Sequence, residues 1–349
     1  MASIRQIEAS GDPFTIGKTL GRAAGDAVRA HVFAHAEFLE LNARWAGSDY
    51  LAALEAASRA AYPEYVREVE GIAAGAELDF PTIFLWNCRG DLRLPEDASP
   101  AAQAEAGEGC TTVFLPGTIG HNEDGAPGFL GECFWVSVTP DHGTAFNSFM
   151  YPGMLPGHTF GVNAAGLVQT INNIRVHDLK PGIPRHIICR AVLGSETLDA
   201  ALTILRRTDR ASGFHHALGQ AGDDRLLSVE APASGCHVRP VNPPHAHANH
   251  LIEASFEGIA QEVTDSSRNR QSRAEKMLCD GDYLRPEEIL FDNQAPIYRA
   301  NDAGDDYSQT LATAIFEFSA DRVNWRIHAS PVETDAIVGS RPITRHHRT

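Results

Sequence analysis

The sequence predicts an α+β protein built on mostly antiparallel sheets, with its helices gathered in separate layers. Three observations carry this. Residues 14 to about 90 repeat apolar side chains at helical spacing. From Cys110 onward, short β-branched and aromatic runs are separated by Gly, Asn and Asp turn chemistry. Strands and helices then fall in blocks, without the strict alternation of a doubly wound parallel sheet.

Each element follows from local pattern. Between Phe14 and Trp45, the residues Val28, Val32, Phe38 and Leu41 recur at helical spacing among many alanines. Proline in a first turn marks a second helix from Pro63, running through Tyr65, Val66, Val69 and Ile72. A short third segment follows Pro81. Residues 95–109 break the pattern. This Ala/Glu/Pro/Gly tract has almost nothing to bury, so folding cannot offset the entropy of ordering it, and it reads as structureless. Strands are expected at 110–115, 129–138, 144–151, 158–163 and 167–173, then helices at Pro184–Leu193 and Glu196–Arg207. More strands are expected at 212–219, 225–231, 235–241 and 245–251, with a hairpin turn at Gly222-Asp223-Asp224. On local chemistry, Asn122-Glu123-Asp124-Gly125 also reads as a polar turn. Helices at 266–279 and 286–291 precede two closing strands, 309–318 and 322–329.

Composition narrows the function classes. The 349 residues are 43% hydrophobic and 21% charged, an ordinary globular balance. A formal net charge of -16 repels nucleic-acid phosphates and anionic lipid, so neither is an expected partner. No apolar run reaches the ~20 residues that span a bilayer. The first residues, Met1 to Gln6, lack the apolar core of a signal peptide, which points to the cytoplasm. Six cysteines in a chain this long make no disulfide framework and are expected as reduced thiols, with Cys189 a small core residue. His245, His247 and His250 invite a metal reading, but no Cys or carboxylate stands at ligand spacing, so neither metal nor organic cofactor is expected.

The chemistry concentrates at one peptide bond, Gly109-Cys110. A thiol on the first residue of a buried strand, beside a glycine, is placed to attack the carbonyl before it. The ordinary reading of such a residue is a buried strand cysteine. The other is an N-to-S acyl shift, release by water, and a new N-terminus at Cys110. The freed α-amine, with an unperturbed pKa of ~7.7–8, suits a general base near neutral pH, so the nucleophile needs no histidine. No Gly-x-Ser-x-Gly elbow, His-Glu-x-x-His or phosphate loop competes with this.

Cys110-Thr111-Thr112 followed by Gly120-His121-Asn122-Glu123-Asp124 resembles the isopenicillin N acyltransferase-like family of autoproteolytic N-terminal nucleophile hydrolases. Gly161-Val162-Asn163-Ala164-Ala165-Gly166-Leu167, Asn172-Asn173, Pro184-Arg185-His186, Leu227-Ser228-Val229-Glu230, His247-Ala248-Asn249-His250 and the basic run Arg268, Arg270, Arg273 resemble the family's later segments, in its order, across roughly residues 80–320. The resemblance implies a four-layer αββα sandwich. It also implies self-cleavage into an associated helical fragment (1–109) and catalytic fragment (110–349), which together form one αββα unit.

Within that resemblance Cys110 is the nucleophile, Asp124 the carboxylate near its amine and thiol, and Asn249 the oxyanion donor. Thr111, Thr112, Asn122 and Thr313 are in support. Arg268, Arg270, Arg273 and Glu230 read as structural, with Glu230 free to pair with one of the arginines. Trp86, Arg89 and Arg93 are candidate pocket walls. The family's transferase prototype has a serine and then an arginine near the C-terminus. Here Thr313 supplies the hydroxyl and Ala314 no guanidinium, which detaches the prototype's penicillin-type substrate from the chemistry. The expected activity is cleavage or transfer of an acyl group from an amide or thioester, leaning to amide hydrolysis of a small molecule. Acyl-CoA-dependent N-acylation in natural-product biosynthesis is the alternative, and an unprocessed binding homologue the rival class. Homo-oligomers are compatible with all three.

Overall fold

The computed structural model describes residues 3–105, 109–281, 285–294, 297–300, 308–331 and 336–343. The chain opens with β1 (Arg5–Gly11), followed by α1 (Pro13–Ala27), α2 (Ala36–Trp45), α3 (Asp49–Ala61), α4 (Pro63–Ala76), α5 (Phe80–Asn87) and α6 (Pro100–Glu105). Seven strands alternate with turns and two helices in the middle: β2 (Cys110–Leu115), β3 (Thr118–Gly125), β4 (Phe134–Pro140), β5 (Phe146–Met150), β6 (Phe160–Asn163), β7 (Leu167–Asn173), α7 (Arg185–Leu193), α8 (Leu198–Leu205) and β8 (Phe214–Gln220). The rest comprises β9 (Leu226–Ala231), β10 (His237–Pro240), β11 (His245–His247), α9 (Asp265–Asp280), α10 (Pro286–Leu290), β12 (Gln309–Phe318), β13 (Arg322–His328) and β14 (Ile337–Pro342).

The α+β expectation holds. An eight-stranded sheet, ordered β1-β4-β5-β6-β7-β8-β9-β10, faces a six-stranded sheet, ordered β11-β2-β3-β12-β13-β14. All pairs are antiparallel except β1 with β4. α1, α7 and α8 cover the larger sheet, and α9 and α10 the smaller, giving four layers in the order αββα. Phe160 against Phe316 and Trp135 against Trp325 tie the two sheets face to face.

Several local readings are corrected. Residues 100–105 are helical, not structureless: alanine favours the helix, Pro100 fits its first turn, and Ser99 Oγ accepts the Ala102 N–H. Ala98 and Ala102 are buried, and α6 packs on α2. Residues 106–108 of that tract lie outside the described residues, as do Met1 and Ala2. Asn122-Glu123-Asp124-Gly125 is not a turn but the end of β3, a central strand whose polar side chains all have partners inside the fold. The strand expected at 129–138 starts at Phe134, after a short 3-10 turn at Pro127–Phe129. The strand expected at 245–251 is only His245–His247. Pattern reading does not find β1 or β14, because both are half-exposed edge strands with little apolar content.

The segment before Cys110 is woven into the rest. β1 pairs with β4 along seven residues, from Arg5 opposite Phe134 to Gly11 opposite Pro140. α1 and α4 approach at backbone distance through facing glycines. A methyl on Gly17 would overlap the Glu68 carbonyl, and one on Gly21 the Ile72 carbonyl. One on Gly71 would overlap the Phe14 carbonyl, and one on Gly75 the Lys18 carbonyl. A Cβ on Gly25 would come only to 3.2 Å of Ala76 Cα. Gly21→Ala should therefore lose about 1–3 kcal/mol in urea unfolding, the usual range for overpacking, and Gly25→Ala clearly less. Equal losses for the two would contradict this packing.

Candidate functional site

β2 lies between β11 and β3, with Cys110 opposite Glu123, Thr111 opposite Asn122 and Thr112 opposite His121. Side chains alternate along a strand. Cys110 and Thr112 therefore face the space between the sheets, while Thr111 faces the helical layer, where Arg270 of α9 bonds it. The same alternation on β3 sends His121 and Glu123 inward, and Asn122 toward α10, whose Leu290 carbonyl it reaches.

The backbone of Cys110 is held by side chains. Its N–H donates to Asn249 Oδ1 at 2.8 Å, and its carbonyl accepts from Arg270 Nη1 at 2.5 Å. Arg270 also donates to Thr111 Oγ1 at 2.8 Å and to Asn249 Oδ1 at 2.7 Å. Asn249 Nδ2 donates to the Asn173 carbonyl at 2.9 Å, so the orientation of the amide is fixed from both ends. Gly109 fits because the space beside it is filled: a Cβ would lie 2.5 Å from Arg270 Nη2 and 3.0 Å from Asn249 Oδ1. Close approach, not a left-handed backbone, is what demands glycine here.

The Cys110 sulfur lies 3.6 Å from Glu123 Oε2. Burial pushes the thiol well above its usual 9.0, reinforced by the Glu123 and Asp124 charges. Burial also pushes Asp124 up to about 6, opposed by Arg299, Arg270 and the 2.7 Å bond from Thr310 Oγ1. Its other carboxylate oxygen is 3.9 Å from Arg299 Nη1. Arg270 is pulled down to about 10 by burial.

Behind the thiol runs a buried polar relay. His121 Nε2 is 3.2 Å from Glu123 Oε2, and Tyr151 donates to Glu123 Oε1 at 2.9 Å. Thr112 Oγ1 lies 2.8 Å from His121 Nδ1 and donates to Asn172 Oδ1 at 2.7 Å. Burial holds His121 down to about 3, so it is neutral at physiological pH. The relay continues to His215 and Ser228, and His215 stacks on His247 with ring centroids 3.5 Å apart.

Gly109, Cys110, Thr111, Asp124 and Asn249 thus meet around one peptide bond. Thr112 belongs to the relay. Thr313 donates to Asn122 at 2.7 Å, and Asn122 donates on to the Leu290 and Ile297 carbonyls, so this pair braces β3, β12 and the α10 end. Glu230 pairs with His247 at 2.9 Å rather than with an arginine. His250 is bonded to Ser267, so His247 and His250 have separate partners. A cavity of about 250 Å³ opens onto Cys110, Glu123 and Asp124, with Arg89, Arg93 and Arg185 in its walls. Trp86 is not a wall residue; it lies beneath Arg89, 4.3 Å from the guanidinium.

Two residues at the site escaped the sequence reading. Arg270 reads from the sequence as structural, yet it reaches the Cys110 carbonyl from the inward stripe of α9, which it shares with Ser267, Gln271, Ala274 and Leu278. An arginine at an inward position of a helix is the signal that could have found it. Glu123 was hidden inside an apparent polar turn. All six cysteines are free, and no helix among the described residues is long and apolar enough to cross a membrane.

Comparison with known proteins gives four likenesses. A family model described as acyl-coenzyme A:6-aminopenicillanic acid acyl-transferase matches residues 111–331. A β-alanyl-dopamine/carcinine hydrolase of Drosophila melanogaster is 27% identical over 300 residues, covering 74% of this chain and 75% of that protein. The 40 kDa form of an acyl-coenzyme A:6-aminopenicillanic-acid-acyltransferase of Emericella nidulans is 27% identical over 286 residues, covering 78% and 76%. Among solved structures, a mutant conjugated bile acid hydrolase from Clostridium perfringens aligns with a TM-score of 0.40 and 10% identity, over 69% of this chain and 100% of that one.

In the uncleaved chain burial pushes the Cys110 thiol well above the usual cysteine range, so it stays protonated near neutral pH. Iodoacetamide should therefore label exposed Cys279 long before Cys110, read by peptide mass spectrometry. Fast labelling of Cys110 in intact chains would contradict the buried, protonated thiol.

Proposed function

From membership of the acyl-coenzyme A:6-aminopenicillanic acid acyl-transferase family, to which this chain belongs, we propose that it is a self-processing enzyme whose nucleophile is Cys110. The observation that carries the reading is the set of contacts on the Gly109-Cys110 peptide. Its N–H is on Asn249, the next carbonyl is on Arg270, and the sulfur lies at a cavity wall beside Glu123.

The thiol proton passes to the His121–Glu123 pair, whose nearest oxygen is 3.6 Å from Sγ. Sulfur attacks the Gly109 carbonyl carbon. The bond to the Cys110 nitrogen breaks, that nitrogen takes up a proton, and residue 109 is left as a thioester on Sγ. Water cleaves the thioester, releasing a carboxylate at Gly109 and restoring the thiol. The two fragments stay together, because β1 is paired into the larger sheet, Arg190 of α7 is bonded to the buried carboxylate of Glu68 on α4, and Trp86 Nε1 donates to the Pro152 carbonyl.

The same sulfur then attacks an amide or thioester substrate from the cavity. The α-amine of Cys110 takes the thiol proton and returns it to the leaving group. Asn249 uses one Nδ2 hydrogen on Asn173, which leaves the second for the oxyanion. Asp124 holds the amine. Water hydrolyses the acyl-enzyme. The lean to hydrolysis rests on the net charge of -16 and on alanine at 314. The acyltransferase relative, also 27% identical, keeps acyl-CoA as an alternative donor. Acyl-CoA supplied with and without an amine acceptor separates the two: free acid alone marks the hydrolase.

Intact mass tests the core of the reading. The wild type should resolve into two fragments, whereas Cys110→Ala should remain a single 37.8 kDa chain without turnover. Gly109→Ala should cleave far more slowly, since its methyl must displace Arg270. A wild type that stays intact, with activity retained by Cys110→Ala, would sink the proposal and leave a binding homologue.

The pH profile tests Asp124. It must be ionised to hold the amine, and its carboxyl is neutral below about 6. The amine must be neutral to act as base, above ~7.7–8. kcat/KM should rise through both values, falling about tenfold per pH unit on the acid side of each. Asp124→Asn should lower the plateau and remove the limb near 6. A flat profile from pH 5 to 8 would count against this role.

A further inference from the structure

Hydrogen-bond directions behind the thiol lead to a second property of the site. Asn172 Nδ2 donates to the His247 carbonyl, so Asn172 Oδ1 is an acceptor. Thr112 has one hydroxyl proton, and at 2.7 Å it goes to that oxygen. His121 Nδ1, 2.8 Å from Thr112 Oγ1, must therefore be the donor of its pair. With its donor proton on Nδ1, His121 can turn the Nε2 lone pair toward Glu123 Oε2, 3.2 Å away. Two lone pairs at that distance repel unless a proton or a cation lies between them.

The third atom around this point is the Cys110 sulfur. Sγ, Nε2 and a Glu123 oxygen all lie within 4.8 Å of one another. Tetrahedral zinc, with bonds of about 2.3 Å to sulfur and 2.0–2.1 Å to nitrogen and oxygen, sets edges of about 3.5 Å for S···O and 3.3 Å for N···O. The corresponding separations are 3.6 Å and 3.2 Å. Outer contacts already fix the ligands: Thr112 holds the far nitrogen of His121, and Tyr151 the far oxygen of Glu123. Cys110 and Glu123 line the cavity, which provides entry and space for a fourth ligand.

We propose that Cys110, His121 and Glu123 form a three-ligand site for a soft divalent cation of the zinc type, and that its occupancy takes the thiol out of reaction. Binding converts the thiol to a metal-bound thiolate, and the thiol proton and any proton held between His121 and Glu123 leave to solvent; no oxidation is involved. The inhibitory half rests on the reading of Cys110 as nucleophile. The coordination half does not.

Cobalt(II) titration of the full chain tests it, in a Cys236→Ser, Cys279→Ser background that removes the two more accessible thiols. One equivalent should give a near-ultraviolet sulfur-to-cobalt band with strong visible tetrahedral bands, displaced by zinc. Cys110→Ser should abolish the sulfur band. Tyr151→Phe should weaken binding by about 10–100-fold, and Glu123→Gln by more. No sulfur band in the parent, or a band surviving Cys110→Ser, overturns the site. So does unchanged affinity in Glu123→Gln and His121→Asn variants whose thermal melts show them folded. Turnover at the full rate with zinc bound overturns the inhibitory half. A cobalt site in a chain that neither self-cleaves nor turns over any amide keeps the coordination and overturns the nucleophile reading instead.

Discussion

A guanidinium buried at the start of β2 is the constraint on which the site depends. A charged group inside a protein is tolerated only when its donors are matched by acceptors. Arg270 finds them on the Cys110 carbonyl, Thr111 Oγ1 and Asn249 Oδ1, with the Asp124 carboxylate as its largest favourable charge. Those partners come from β2, β3 and the segment after β11. One side chain therefore fixes the register of the nucleophile strand against its neighbours. It also sets the size limit at residue 109, where only glycine clears its Nη2. The catalytic candidates and the requirement for glycine thus share a single cause.

Much of this fold was legible because most elements obey local rules. Pro63 opening α4, the apolar run of β2, and the Gly222 turn between β8 and β9 all appear where their chemistry places them. The failures share a different logic. β3 looks like a turn because His121-Asn122-Glu123-Asp124 is polar, and polar residues usually end a strand. Here they face other polar groups across two buried interfaces, so a central strand carries hydrophilic side chains at no cost in unsatisfied donors. The tract before Cys110 looks structureless because its alanines offer little to bury, yet six residues close to α2 suffice for one capped turn of helix.

The candidate site divides in the same way. Cys110, Asp124 and Asn249 could be named from ordered motifs, since each sits beside a local landmark. Arg270 and Glu123 could not, because their significance is tertiary. Arg270 matters through residues up to 160 positions away in the chain. Glu123 matters because strand pairing puts it opposite Cys110. No window of sequence contains either relation, although the inward stripe of α9 does mark Arg270 as out of place for a solvated base.

The placement of Cys110 at the first position of a strand has a consequence for cleavage. An interior strand residue gives its N–H and carbonyl to the ladder, and cutting its peptide bond would disturb the sheet. Cys110 instead has both groups on side chains, Asn249 and Arg270. The pairing from Thr111–Asn122 to Leu115–Thr118 is independent of the bond before Cys110. Breaking that bond leaves β2 in register and converts an amide N–H already seated on Asn249 into an amine on the same acceptor. A strand terminus whose polar groups are held from outside the sheet is therefore where a chain can be cut without moving the atoms that remain.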